Sequence, residues 1–133
     1  MLLNVMIEAV KHSFVAPGED LKKPPLLVMA PTANAAGIVG GKTIDSALGF
    51  SPGDTNQYSS TNEGRMAMKK FMYEDLRLIV TDEISMVGAM KLAKINYRLQ
   101  DLAEGNRKQQ FMGGISFVAS GRSRIMYLFV TIQ

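Results

Sequence analysis

Three short apolar runs decide what this chain can fold into. Leu26 to Ala30 reads LLVMA, Leu76 to Thr81 contains LIV, and Ile115 to Ser120 reads ISFVAS. Each is continuous rather than alternating, the pattern of a strand buried on both faces of a parallel sheet. Ile125 to Ile132 reads as a fourth strand. Between the runs the period changes. Leu92, Ile95, Leu99 and Leu102 recur at three- and four-residue spacing, one face of a helix, with Gly105 placed to cap its end. Further helices are expected over Thr43 to Leu48 and Glu63 to Tyr73, and Leu2, Leu3, Met6, Ile7 and Val10 mark an amphipathic helix over residues 2 to 12. Pro17, Gly18, Pro24 and Pro25 form a loop before the first strand, a glycine-containing loop follows Pro31, and Phe50 to Asn62 reads as a polar surface loop. Strands alternating with helices imply an α/β fold with a mostly parallel sheet and helices on both of its faces.

At 133 residues the chain is long enough for one domain with its own core. It has no cysteine and a single histidine, His12, so thiolate chemistry and histidine metal clusters are excluded. The net charge of +3 permits nucleic-acid binding without arguing for it, because the cations are scattered rather than striped. No apolar run approaches the ~20 residues of a membrane-spanning helix, and the first residues lack a signal-peptide pattern. The ten methionines read mostly as core filler.

The residues that carry chemistry follow the second strand. LIVTDE places Asp82 and Glu83 at the strand's carboxyl end, where open parallel sheets put their ligands. Two adjacent carboxylates suit two jobs: one complements a hard cation, the other faces a water. A solvated acidic pair at an ordinary turn fits the same two letters equally well, and the longer string TDEISM with its following helix favours the chemical reading. Ala36 to Thr43, AGIVGGKT, matches a loose phosphate-loop pattern. A working loop leaves a buried strand directly and opens a helix, and here Pro31 to Ala35 intervene. Lys42 reads better as an exposed cation.

LIVTDEISMVGAMKLAKINYRLQDL resembles the second helicase motif, and the helix after it, of the petite-integration-frequency family of DNA helicases. APTANAAGIVGGKTIDSALG, Ala30 to Gly49, is similar to that family's segment running from Ala-Pro-Thr-Gly to Gly-Gly-x-Thr-Ile-His-Ser-Ala-Leu. FMGGISFVASG, Phe111 to Gly121, resembles the stretch leading into its third motif. The three stand in the family's order from Leu26 to Gly121. The resemblance implies a RecA-like fold with three layers and an ATP-dependent, five-prime to three-prime helicase acting on single-stranded or forked DNA. Asp82 would hold the magnesium of magnesium-ATP and Glu83 would be the catalytic base. Pro31, Thr32, Thr43 and Ser46 would line the DNA path, where short hydroxyls hold phosphates without reading sequence. Thr43 also fits as a plain helix cap. Roles in DNA repair, recombination and telomere maintenance, in nucleus or mitochondrion, are further family implications.

The chain departs from the family pattern at several points. On this reading residues 1–133 are part of one motor domain, with the first strand and phosphate loop lying upstream of Met1 and the second motor domain absent. Magnesium-ATP affinity is then expected to collapse. Ile125 stands at the sensor glutamine, Arg122 at an aspartate, Asp45 at a histidine and Asn34 at a frequent lysine. The two expectations are a truncated, inactive part of an ATP-driven helicase, or a non-catalytic remnant that binds single-stranded DNA or a protein.

Overall fold

The computed structural model describes residues 5, 7–9, 23–51, 63–121 and 124–129. The strands are β1 (Leu26–Ala30), β2 (Lys42–Thr43), β3 (Leu78–Thr81), β4 (Ser116–Gly121) and β5 (Arg124–Phe129). The helices are α1 (Ala33–Val39), α2 (Ile44–Leu48), α3 (Glu63–Met72) and α4 (Ala89–Leu102). One sheet runs in the order β2-β1-β3-β4-β5. Its first four strands are parallel and β5 is antiparallel to β4.

The apolar runs form β1, β3 and β4 because each side chain finds a helix-covered face. Leu27, Met29, Ile79, Phe117 and Ala119 pack on one face with Ile44, Leu48, Ile95 and Leu99 of α2 and α4. Val28, Val80 and Val118 pack on the other with Val39 of α1 and the helical residue Ile7. This alternation, two facing cores from one continuous apolar run, is what a parallel sheet demands. The result is three layers, as the strand-and-helix alternation predicts.

Three expectations need correction. The segment after Pro31 is helix α1 rather than loop: Thr32 accepts the Ala35 amide at 3.2 Å and Gly40 ends the helix in the left-handed conformation at φ 67°. Gly105 does not cap α4. Ala103 does, donating to the Leu99 and Gln100 carbonyls, while Gly105 begins a separate 3-10 turn with φ 60°. The expected fourth strand forms as β5 and is the antiparallel member of the mostly parallel sheet, since its link to β4 is only two residues and a parallel return needs a crossover of a dozen or more. Met29 and Met112 are core residues, whereas Met68, Met86 and Met90 are exposed. The expected helix over 2–12 is helical at residues 5 and 7–9, and its remainder lies outside the described residues. So do most of the loop over 17–25, residues 52–62 of the polar loop, Arg122, Ser123 and residues 130–133.

Candidate functional site

Because β1 to β4 are parallel, their carboxyl ends share one rim of the sheet, and that rim collects the polar residues of the motifs. The register pairs Ala30 with Thr43, Met29 with Thr81, and Thr81 with Ala119. Pro31 and Thr32 therefore leave β1 beside Thr43, and Asp82 leaves β3 beside Ser120. The proposed strand path and the acidic pair thus occupy neighbouring stretches of the same edge.

Asp82 continues the face of Val80, and Ser120 that of Val118. The Ser120 hydroxyl donates to Asp82 Oδ1 at 2.9 Å, inside the protein: Asp82 is 8% exposed and Ser120 3%. The Asp82 amide donates to the Met29 carbonyl at 2.9 Å, tying the start of the turn to β1. Glu83 is a different case. It is only partly buried, and its backbone sits in the left-handed region at φ 54°, ψ 46°, where a side chain is strained. A 3-10 turn, Ile84–Met86, follows, and Glu83 makes no side-chain cap to it. Thr81 is fully buried, and its hydroxyl oxygen has no hydrogen-bond partner among the described residues.

Thr32 and Thr43 both serve as helix caps. Thr43 accepts the Ser46 amide at 3.2 Å, as Thr32 accepts that of Ala35. Ser46 is exposed on α2, and its carbonyl accepts from Lys69 at 3.2 Å. Pro31 is half-buried at the end of β1. The string AGIVGGKT is the second half of α1, its glycine cap and β2, so it runs helix to strand, opposite to the order a phosphate loop requires. Gly41 lets β2 lie against β1: any Cβ there would drive into the Val28 carbonyl. Ile125 is in register with Ser120 across β4 and β5, and its side chain lies outside the described residues.

Sequence reasoning missed two features. Ser120 as the partner of Asp82 appears only through the β3–β4 register, since the two residues are 38 positions apart. The second is a group of cations around Phe50, contributed by Lys91, Lys94 and Arg98 at helical spacing on α4. Asp45 forms an ion pair with Lys91.

A three-layer sheet with adjacent acids at the carboxyl end of a central strand is the RecA-like motor-domain class. No family model matches the chain. The ATP-dependent DNA helicase PIF1 of Candida albicans is 35% identical over 95 residues, 71% of this chain and 10% of that protein. The crystal structure of Pif1 helicase from Candida albicans superposes with a TM-score of 0.65 at 28% identity, covering 90% of this chain and 25% of its own. Bacteroides Pif1 bound to single-stranded DNA gives a TM-score of 0.60 at 26% identity, covering 90% and 24%. The chain is similar in sequence and in fold to the Pif1-type helicases, of whose length it spans about a tenth in the curated relative and about a quarter in the solved structures.

Proposed function

We propose that residues 1–133 form part of the first motor domain of an ATP-dependent, five-prime to three-prime DNA helicase, with Asp82 as magnesium ligand and Glu83 as catalytic base. The observation that carries the reading is Asp82, a carboxylate held in a buried place by the Ser120 hydroxyl at the carboxyl rim of the sheet. Burying a charge costs free energy unless something pairs with it. Among the described residues the ion pairs join Lys23 to Glu74, Lys70 to Glu104 and Lys91 to Asp45, and none of them reaches Asp82. The donor set fits magnesium, which takes one or two carboxylates and completes its shell with phosphate and water oxygens. When bound with ATP, the ion supplies charge neutralisation at the terminal phosphates.

The chain's own residues have separable parts in this scheme. Asp82 anchors. Glu83, more exposed, orients the attacking water and accepts its proton. Thr32 and Thr43 accept cap N–H bonds through a lone pair, so each keeps its hydroxyl proton to donate to a DNA phosphate. Pro31 and the exposed Ser46 complete the strand path. Forked or single-stranded DNA is the substrate class, and repair, recombination or telomere maintenance in nucleus or mitochondrion belongs to the same proposal.

The test is a joined motor: this chain carrying Ile125→Gln, fused to a phosphate-loop segment and a second motor domain from Bacteroides Pif1. DNA-stimulated ATP hydrolysis that Glu83→Gln removes is the expected result; hydrolysis indifferent to Glu83→Gln would refute the assignment. The unfused chain is expected to hydrolyse no ATP above background.

A non-catalytic, DNA-binding remnant is the second reading. It is favoured by β5, which sets Ile125 rather than a hydrogen-bonding residue in register with Ser120. DNA binding by the unfused chain, with a joined motor that stays silent, would decide for it.

A further inference from the structure

A surface helix ordinarily buries one face against its neighbours. No residue of α3 is buried. Between α3 and the carboxyl end of α4 is a cavity of about 520 Å³, within the size range of small-molecule sites. Its floor is apolar, made by the buried Leu99, Ala103 and Ile115. The half-buried Leu102 and the exposed Phe71 line it nearer to solvent. Ile115 immediately precedes β4, so the cavity lies at the amino end of the sheet, opposite the rim that holds Asp82 and Glu83.

Four charged side chains line this cavity, and three of them are already matched. Lys70 pairs with Glu104 at 3.5 Å, and Glu74 with Lys23 at 2.6 Å. The fourth is Arg107. Its Nε donates to the Gly113 carbonyl at 3.0 Å, which holds the guanidinium in place. Among the described residues its two terminal nitrogens have neither an ion pair nor a hydrogen bond. The carbonyl end of α4, just before it in the chain, offsets at most about half a charge. A guanidinium fastened on one edge and open on the other matches the two oxygens of a carboxylate. The apolar floor gives nothing to a bare inorganic anion and favours a ligand with a hydrocarbon body.

We propose that this cavity binds a small carboxylate with an apolar body, an aryl or branched-alkyl acid. Its carboxylate lies on the open edge of Arg107 and its body on Leu99, Ala103 and Ile115. Binding gives α3 the buried contact that it lacks, so the ligand also steadies that helix. Neither ATP nor DNA enters the proposal, and it stands apart from the motor reading.

The experiment is methyl NMR of the full chain, read at Leu99, Leu102 and Ile115, with phenylacetate, phenylacetamide and phenethylamine as probes. The three share a ring and differ in the charge of the head group. Phenylacetate should shift these methyls and bind roughly tenfold tighter than phenylacetamide, the ratio that one hydrogen bond to a charged group supplies. Arg107→Gln should bring phenylacetate down to the affinity of the amide and leave the amide unchanged. That variant also loses the bond to Gly113, so circular dichroism checks its fold, and the acid-to-amide ratio of the parent chain needs no variant. Equal binding of acid and amide would make the cavity a plain apolar hollow and overturn the proposal. Tighter binding of phenethylamine would show that Glu74 and Glu104 set the sign, and would overturn it too. So would phenylacetate that leaves all three residues unshifted at any soluble concentration.

Discussion

Glu83 occupies a backbone conformation that its residue type disfavours, and the size of that strain can be measured. Its φ of 54° and ψ of 46° lie in the left-handed region, where an L-residue with a Cβ is strained by ~1–2 kcal/mol. Glycine has no such strain, but it loses ~0.5–1 kcal/mol more backbone entropy on folding. The difference predicts that Glu83→Gly is more stable than Glu83→Ala by about 0.5–1 kcal/mol, because alanine keeps the Cβ and the strain. For a chain of this size that is a rise in melting temperature of ~2–4 °C. Urea unfolding followed by far-UV circular dichroism reads the same quantity as a raised midpoint at unchanged slope. A glycine variant less stable than the alanine variant would refute the reasoning, since the turn would then not hold a left-handed residue. If the prediction holds, the proposed base is fixed in place at the expense of stability, as strained residues at functional sites often are.

Other variants test the remaining parts of the rim and core. Ser120→Ala removes the donor to a buried carboxylate and should destabilise the chain by ~1.5–3 kcal/mol in the same urea assay. Gly41→Ala should cost about 1–3 kcal/mol or more by forcing β2 off the Val28 carbonyl, whereas Gly37→Ala, inside α1 with open space around it, should stabilise by about 0.5–1 kcal/mol. Tyr73 donates its hydroxyl to the Ala47 carbonyl at 2.7 Å, and burial pushes its pKa up to about 12. An unfolded tyrosine ionises near ~10, so the unfolded state sheds its proton first and stability falls as pH rises from 10 towards 12. Thermal melts should show that decline, and Tyr73→Phe should flatten it.

The strands β1, β3 and β4 were legible because a buried parallel strand leaves a continuous apolar run, and α4 because its buried face repeats at helical spacing. What escaped was smaller than a period or longer in range than one. Two residues, Lys42 and Thr43, cannot declare a strand by pattern; their pairing with Met29 and Ala30 makes β2. In α1, Asn34 and Gly37 blur the apolar repeat, although Thr32 before the helix and Gly40 after it were readable as caps. The reversal of β5 was also readable, because the expected strands leave only Gly121 to Arg124 between them, too few residues for a parallel crossover. No local signal joins Ser120 to Asp82, or Asp45 to Lys91, because sheet register and helix packing bring those pairs together across 38 and 46 positions.

The two acids of the turn began as one ambiguous string, equally good as a solvated pair or as a divided site. A solvated pair would leave both carboxylates exposed and interchangeable. Instead the strand alternation carries Asp82 to the Val80 face, where Ser120 meets it out of solvent, and the left-handed step at Glu83 ends that alternation one residue later. Neighbouring like charges are thereby given unlike surroundings. Ser120 holds one carboxylate in place, as a cation ligand requires, and the other stays in contact with water, as a base requires. An ordinary strand-to-helix turn has no need of either the buried hydrogen bond or the strained backbone. Their coincidence at adjacent residues is the physical reason to read Asp82 and Glu83 as a site with two roles.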